Sequence, residues 1–291
     1  MLVLGGKGFI GRHAVSALFE RHADVVIGTR NPNENSVSSQ LAVCFESMLQ
    51  QADWLSIIGD FDVILNCVGI LRPVGESTYE AVHHLAPAAL AEACHSQEKR
   101  FVHVSALGLM DDAKSGFLVS KKRGEAAIKT VSSSGIIARP SLLDGEGGYG
   151  AAWLRGVARL PLFVVPADAK GLIAGLMVTD LGEALAQLCL ASDAELKLEQ
   201  SREFELGGSN AVAFEDYIRG LRQRYTQRPA LCLKIPGVLA RVGAHLCDLF
   251  HATPFSFGHW ELLRNNNTPY PNRLPELLGR SPQEIIPAQQ A

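Results

Sequence analysis

Three glycines near the N-terminus have the spacing of a loop that holds phosphate groups. In "VLGGKGFIG" they form Gly5-x-x-Gly8-x-x-Gly11, directly after a short apolar run and at the start of a helical pattern. One glycine permits a tight turn, one lets the backbone approach a pyrophosphate, and one lets the helix pack close to the sheet. The helix N-terminus then supplies free N–H groups and a partial positive charge. An ordinary strand-loop-helix turn is the alternative, but this position favours a dinucleotide-binding loop.

The end of the second strand distinguishes between the two nicotinamide dinucleotides. A site for NAD usually has an acidic residue there, on the ribose 2′-hydroxyl. Here the strand ends "IGTRNP", which places Arg30 at the discriminating end, whereas Asp24 lies at the opposite end. A guanidinium binds a phosphate through two charge-assisted hydrogen bonds, and Lys7 in the glycine loop offers a second cation. We therefore expect NADP(H) in preference to NAD(H); the alternative is that Arg30 is a solvated loop charge.

Apolar runs with the length of strands alternate with helical patterns through the first two-thirds of the chain. The strand-like runs are 1–5, 24–30, 40–45, 61–69, 100–108, 135–140 and 202–208. Helical patterns begin near Phe9 and cover 120–131, and a Ser77-x-x-Glu80 capping box opens another, which Pro87 should kink or split. This alternation predicts an α/β fold, a Rossmann-type doubly wound parallel sheet with helices on both faces.

The pattern loosens beyond Pro140. A glycine-rich stretch opens a substrate-side loop insertion that we place near 141–172, and the sequence from Ser209 onward is mostly helical with several prolines. These features predict an NAD(P)-binding Rossmann domain at 1–208 and a small helical substrate or lid domain at 209–291. The last residues, 287–291, are expected to be frayed.

Composition and charge restrict the class of protein. The chain has 291 residues and a formal net charge of −3, so no general attraction to nucleic acid is expected. None of the cysteines form a Cys-x-x-Cys pair, which predicts buried free thiols in a reducing compartment, the cytoplasm, and no metal site. No run reaches about 18 apolar residues and the apolar N-terminus is too short for a signal peptide, so no membrane span is expected. The longest apolar stretches, 149–166 and 233–250, are interpreted as buried helices in preference to membrane-surface helices.

Several segments together carry a resemblance to a known superfamily. They are "LGGKGFIG", "DVILNCVGIL", "YEAVHHLAPAALAEAC", "RFVHVSALG", "SKKRGE", "ARPSLLDG" and "MVTDLGEAL". In order and spacing they resemble the atypical short-chain dehydrogenase/reductases. The particular likeness is to the group around the NADPH-binding accessory subunit of respiratory complex I and to bacterial NAD-dependent epimerase/dehydratase-like proteins. It covers residues 1 to about 210 well and the helical tail loosely.

The resemblance implies roles for individual residues. Those that would hold the cofactor are Gly5, Gly8, Phe9, Ile10 and Gly11 on the pyrophosphate, Arg30 on the 2′-phosphate, and Cys67, Val68, Gly69, Lys121 and Pro140 on the ribose and nicotinamide. Ser105 and Lys121 match the catalytic serine and lysine, and His83 stands where much of the family has an asparagine. The alternatives are that Ser105 only ends a strand and that Lys121 is an ordinary charged helix residue.

The same resemblance shows that one catalytic group is missing. In these enzymes a tyrosine four residues before the lysine is the general acid–base, the lysine lowers its pKa, and the serine polarises the substrate oxygen. Here "FLVSKKRGE" carries Phe117 in the tyrosine position, and no tyrosine of the chain is followed by lysine at that spacing. Losing a positioned acid–base costs about 10²–10⁴ in rate. Asp111, Asp112 and Ser115 precede this segment as other proton donors, although the two aspartates also suit a solvated turn.

Two functions therefore stay open from the sequence. One is an NADP(H)-binding protein with weak or no catalysis, structural or sensing, that associates peripherally with a membrane complex, at the inner membrane, as the resemblance implies. The other is an active NADP-dependent oxidoreductase or epimerase/dehydratase that takes its proton from another group. The helical tail, which would select a small-molecule substrate, contains no motif that identifies one.

Overall fold

A seven-stranded parallel sheet lies at the centre of the molecule. The computed structural model describes residues 1–33, 36, 38–131, 135–251 and 253–286, so the predicted fraying of 287–291 concerns residues outside those described. The strands are β1 (Leu2–Leu4), β2 (Val26–Thr29), β3 (Gln40–Ala42), β4 (Val63–Asn66), β5 (Arg100–Val104), β6 (Gly135–Pro140), β7 (Leu143–Asp144), β8 (Leu162–Pro166), β9 (Leu172–Ile173), β10 (Leu176–Met177), β11 (Glu203–Leu206), β12 (Val212–Ala213) and β13 (Leu231–Ile235). The sheet order is β3-β2-β1-β4-β5-β6-β11 with every pairing parallel. The order reverses between β1 and β4, so the predicted doubly wound Rossmann-type fold is confirmed.

Helices cover both faces of this sheet, and others pack away from it. The α-helices are α1 (Phe9–Glu20), α2 (Gln51–Ile58), α3 (Ala86–Ser96), α4 (Gly116–Val131), α5 (Tyr149–Arg159), α6 (Val178–Leu190), α7 (Asp193–Leu196), α8 (Phe214–Gln223), α9 (Gly237–Phe250), α10 (Phe257–Arg264) and α11 (Leu274–Leu278). α1, α6 and α11 share one hydrophobic cluster with the sheet, whereas α2, α3 and α4 form the other. Strands buried on both faces read as continuous apolar runs, which is why the sequence located them.

The segment 141–177 packs with the C-terminal residues. β13 pairs with β8 in parallel, and β12 pairs with β9 in antiparallel fashion. Phe163 and Val165 of β8 share a buried cluster with Tyr217 and Ile218 of α8. α11 then returns to the sheet and packs with α6. The segment 141–177 and the C-terminal residues that pack with it together form the smaller unit of the molecule. The predicted domain division at residue 208 stays a prediction.

The helix after β4 begins one residue later than its capping box suggests. The hydroxyl of Thr78 accepts a hydrogen bond from the N–H of Ala81 at 3.1 Å, so Thr78 is the cap. The Ser77 hydroxyl instead donates to Glu46 at 2.9 Å, and the prediction of a Ser77 cap is wrong. A π-helical turn over Ala81–Leu85 precedes α3, which has Pro87 in its first turn. Pro87 therefore marks a division of the helix, as expected from its missing N–H.

The two longest apolar stretches are not the buried helices that the sequence favoured. The stretch 149–166 is divided into α5 and the strand β8, and Leu160, Leu162 and Val164 are exposed. The stretch 233–250 contains α9, which buries only the small residues Ala240 and Ala244. The apolar pattern predicts the helix correctly, but its larger apolar side chains face solvent.

The cysteines differ in burial. Cys94 and Cys189 are buried as expected, Cys44 is exposed, and the others are partly exposed; all are free thiols. Among the described residues, no group of His, Cys, Asp or Glu side chains has the arrangement of a metal site. In the same residues, each helix is too short or too polar to cross a bilayer.

Candidate functional site

The glycine loop forms a tight cradle between β1 and α1. Gly5 has φ +72°, a left-handed conformation that glycine adopts readily. The N–H of Gly8 donates to the Gly5 carbonyl at 2.8 Å, and a Cβ at Gly11 would clash with that same carbonyl. A Cβ at Gly5 would lie 3.1 Å from the backbone of Cys67, at the end of β4. The backbone at Gly5 and Gly11 is therefore too crowded for a Cβ atom, which is what the predicted phosphate-binding loop requires.

Phe9 and Ile10 face the protein and would contribute backbone groups only. The Phe9 ring lies under the guanidinium of Arg12 at 5.7 Å and against Gly148, and Ile10 packs on the hydrophobic core. The N–H groups of a first helical turn have no acceptor within the helix. These amides fit the sequence prediction of a phosphate site.

The side chains of Lys7, Arg30 and Glu46 lie around the segment that follows β2. Lys7 Nζ donates to the carbonyl of Asn31 at 2.9 Å, which brings it to the segment that follows Arg30. Arg30 is largely exposed and pairs with Glu46 at 3.1 Å. Although burial opposes it, hydrogen bonds from its own backbone and from Ser77, with the charge of Arg30, hold the pKa of Glu46 below its usual value. The sequence analysis missed Glu46 because it follows β3, sixteen residues after its partner.

The end of β4 provides the next part of the site. Asn66 is buried; its carbonyl oxygen accepts from the N–H of Val68 at 3.0 Å, and its amide donates to His103 at 3.1 Å. These bonds fix the turn over Cys67 and Val68, and burial raises the pKa of the Cys67 thiol, so this thiol stays protonated. Gly69 then lies beside Lys121, since a Cβ at Gly69 would be 3.9 Å from its ammonium nitrogen.

Ser105 carries a buried hydroxyl without a partner, and Lys121 carries an ammonium group that burial desolvates. The Ser105 hydroxyl is buried and has no hydrogen-bond partner within the described residues. Its backbone N–H is bonded to Ala138, which fixes the residue at the end of β5. Burial lowers the pKa of Lys121 to about 8, against a smaller opposite effect of Glu125. Buried polar groups normally find partners, so these two side chains fit a site for the hydroxyls of a ribose and a substrate oxygen.

His83 joins the turn after β4 to α4. Its Nε2 accepts from the N–H of Ile70 at 3.1 Å, so Nδ1 carries the proton and donates to the Ser120 hydroxyl at 3.0 Å. Ser120 in turn donates to the Phe117 carbonyl. Burial, together with the nearby charge of Lys121, lowers the pKa of His83 to about 2. His83 is therefore a neutral structural link between the turn after β4 and α4.

The Phe117 ring occupies the centre of an aromatic cluster. The ammonium of Lys121 lies 5.7 Å from its centroid, so the predicted shared face of positions 117 and 121 is observed. His259 is stacked on the ring at 6.1 Å, while Tyr79 and His83 approach edge-on at 6.1 and 5.5 Å. These neighbours pack the ring on several sides, next to Lys121.

A cavity of about 330 Å³ opens beside Phe117. The cavity lies between the segment after β4, the start of α4, and the helices α9 and α10. Its lining residues are Arg72, Pro73, Tyr79, Lys114, Ser115, Gly116, Phe117, His245, Asp248, His251, Phe257 and Gly258. Arg72 organises its wall by donating to Asp248 at 3.1 Å and to the carbonyls of Thr253 and Phe255 at 2.6 and 2.8 Å. The sequence analysis missed this arginine, whose partners lie more than 170 residues away.

The other predicted residues take different positions. Pro140 is buried at the end of β6, where its carbonyl accepts from Leu107 at 2.9 Å. Asp111 is exposed and pairs with Lys122, and Asp112 is exposed, as in a solvated turn. Ser115 caps α4 by accepting from the N–H of Leu118 at 3.3 Å, and it lines the cavity.

Known proteins resemble this chain in sequence and in fold. Residues 1–129 match the NAD dependent epimerase/dehydratase family. The predicted resemblance to this family is confirmed. The complex I subunits among the relatives resemble atypical short-chain dehydrogenase/reductases, and the family match supports binding of a nicotinamide dinucleotide.

Two curated relatives differ in what their names describe. The 40 kDa mitochondrial subunit of NADH-ubiquinone oxidoreductase from Neurospora crassa is 27% identical over 251 residues, which cover 81% of this chain and 65% of the subunit. The chain thus spans less than two thirds of that subunit. The ceramide reductase of Caulobacter vibrioides is 24% identical over 283 residues, 92% of this chain and 85% of the reductase.

Solved structures agree in fold. The NADPH complex of the quinone oxidoreductase QOR2 from Escherichia coli superposes with a TM-score of 0.70 over 97% of this chain and 96% of that one, at 14% identity. At this identity the likeness supports the Rossmann-type architecture alone.

Proposed function

We propose that the protein binds NADP(H) at the glycine loop and transfers protons to a substrate weakly or not at all. The single observation that carries this proposal is the Phe117 ring beside Lys121, where the family places a tyrosine. The cradle around Gly5, the unpaired hydroxyl of Ser105 and the ammonium of Lys121 fit the cofactor, whose nicotinamide supplies hydride transfer. A phenyl ring can neither donate nor accept the accompanying proton.

The preference for the 2′-phosphate rests on Arg30 and Lys7. Glu46 already pairs with the guanidinium of Arg30, so it would compete with a 2′-phosphate for this group. Replacing a charge-assisted contact costs about 1.5–3 kcal/mol. Arg30→Ala should therefore remove most of the preference for NADPH over NADH, and Glu46→Gln should increase it by freeing the guanidinium.

Calorimetric titration of both nucleotides tests this assignment. Arg21→Ala, which removes an exposed arginine from the far end of α1, is the matched control and should leave both affinities unchanged. Equal affinities of the wild-type protein for NADPH and NADH would refute the preference while leaving dinucleotide binding intact.

The second candidate is an active NADP-dependent oxidoreductase or epimerase/dehydratase that uses another proton donor. The cavity beside Phe117 favours it, since it offers space for a small substrate next to the position of the missing tyrosine. The relative named ceramide reductase supports this candidate, and the relative named as a subunit of NADH-ubiquinone oxidoreductase supports a nucleotide-binding role in a membrane complex. Oxidation of prebound NADPH by a panel of small carbonyl compounds and quinones distinguishes the two. We propose a cytoplasmic location for either function.

A further inference from the structure

α9 presents an apolar face to solvent. Val238, Leu249 and Phe250 are 74, 71 and 71% exposed, and the other large apolar residues of the same face are Leu239, Val242 and Leu246. The inward face is made of small residues, with Ala240 and Ala244 packed on α10. An amphipathic helix of a globular protein normally has the opposite orientation. An exposed apolar surface of this extent marks an interaction site.

The sheet that precedes α9 extends this surface. In the pairing of β13 with β8, Leu231 lies beside Leu162 and Leu233 beside Val164, and all four side chains are exposed. Their neighbours on the opposite face, including Phe163, are buried in the smaller unit. β13 ends two residues before α9 begins, so the two apolar surfaces follow one another directly along the chain.

The charges around this surface are positive. The segment 219–251 contains one acidic residue, Asp248, and six cations. Arg219 and Lys234 pair with Glu215, Arg224 pairs with Asp144, and Arg222 is buried. The other two cations are Arg228 and Arg241. Asp248 is neutralised by Arg72 and by the N–H of Phe257. Arg228 and Arg241 are exposed. The exposed positive charge beside the apolar face therefore comes from Arg241 on α9 and from Arg228, three residues before β13.

We infer that α9 and the β8–β13 pair dock on the surface of an anionic phospholipid bilayer. Large apolar side chains enter the interface of a bilayer, and flanking arginines and lysines bind its headgroups. A second copy of this chain fits less well, because a symmetric contact would bring the same cations together. The inference goes beyond the proposed function, since it concerns a surface distinct from the glycine loop and needs no turnover.

Co-sedimentation with lipid vesicles tests the inference on the whole protein. Vesicles of mixed phosphatidylglycerol and phosphatidylcholine should bind the wild-type protein, and vesicles of phosphatidylcholine alone should bind it less. The double variant Leu249→Ser/Phe250→Ser should partition more than about tenfold less strongly, because two large apolar side chains no longer leave water. Arg241→Gln should weaken binding to the anionic vesicles by about fivefold and leave neutral vesicles unaffected.

A matched variant separates this face from exposed apolar residues in general. Phe19→Ser/Leu190→Ser removes two apolar side chains that are each 42% exposed on the nucleotide-binding part, and it should bind vesicles as the wild type does. Equal loss in both double variants would overturn the inference. It would also be overturned if vesicles failed to bind the wild type, or if lipid-free wild type were a dimer that Leu249→Ser/Phe250→Ser dissociates. NADPH affinity, measured in parallel, should be unchanged in every variant, so a failure of lipid binding is distinct from a failure of the proposed function.

Discussion

We propose that the side chain at position 117 determines whether the site beside Lys121 can transfer a proton to a substrate. Phe117→Tyr would place a hydroxyl on the ring that neighbours Lys121, with little change in volume. We predict that this variant folds, still binds NADPH and reduces small ketones or quinones faster than the wild type. A positioned acid–base is worth about 10²–10⁴ in rate. NADPH oxidation followed by absorbance provides the measurement.

Phe257→Tyr is the control for this substitution, because Phe257 also lines the cavity but belongs to α10. It should give no gain, and Lys121→Met should abolish the gain of Phe117→Tyr. An inert Phe117→Tyr that binds NADPH normally would favour the purely nucleotide-binding role. Strong turnover by the wild type would show instead that a different group supplies the proton.

Buried histidines make the fold sensitive to acid. Burial lowers the pKa values of His83, His103 and His259 to about 2, 3 and 4, from an ordinary 6.5. The unfolded chain therefore binds protons below pH 6.5 that the folded chain does not, so the free energy of unfolding falls as the pH falls. His83→Asn should reduce this slope by up to one proton, about 1.4 kcal/mol per pH unit.

Urea unfolding between pH 4 and 7 measures that slope. His95→Asn, at an exposed histidine near the end of α3, should leave it unchanged. A slope that is the same in His83→Asn and the wild type would mean that His83 titrates normally in the folded protein.

Arg72 connects the turn after β4 to α9 and α10. Its guanidinium is mostly buried and donates to Asp248, Thr253 and Phe255. Removing one partner of a buried ion pair costs about 3–5 kcal/mol, because the other charge stays desolvated. Arg72→Ala should therefore loosen α9 and α10, seen as faster hydrogen exchange of their amides, with β1 to β6 unaffected.

Arg241→Ala is the comparison for that experiment. Arg241 is exposed on α9, and surface substitutions of this kind change stability by less than about 0.5 kcal/mol. Similar exchange in Arg72→Ala and the wild type would show that the packing of Ala240 and Ala244 on Phe257 and Trp260 holds these helices without the arginine.

The sequence predicts those features whose signal is local. The strands of the sheet are continuous apolar runs, and the glycine loop is a short motif, so both were found from neighbouring residues. Glu46 and Arg72 act on partners that only the folded chain brings near, and no spacing reveals them. The orientation of α9 is not predictable from its own sequence either. Its apolar periodicity predicts a helix with two different faces, but which face is buried depends on its packing against α10.

For the whole molecule, the nucleotide should be a stabilising ligand. The candidate site consists of backbone from the glycine loop and α1, together with the turn after β4, and it exists only in the folded state. At about 100 times the dissociation constant, binding adds about 2.7 kcal/mol to the free energy of unfolding. For a chain of this size each kcal/mol raises the melting temperature by roughly 2–4 °C. Thermal melts with NADPH should show this shift; adenosine, which lacks the phosphates, should not.

The chain passes repeatedly between the sheet and the smaller unit. It leaves the sheet after β6, returns with α6 and β11, leaves again with α8 to α10, and comes back at α11. Asn267 lies on the last return, where its amide donates to Leu107 and its carbonyl accepts from Ser141. After a protease cut between β7 and β8, the two fragments should therefore stay associated through their non-covalent contacts. Nicked protein should run as one species on a sizing column and separate only in denaturant.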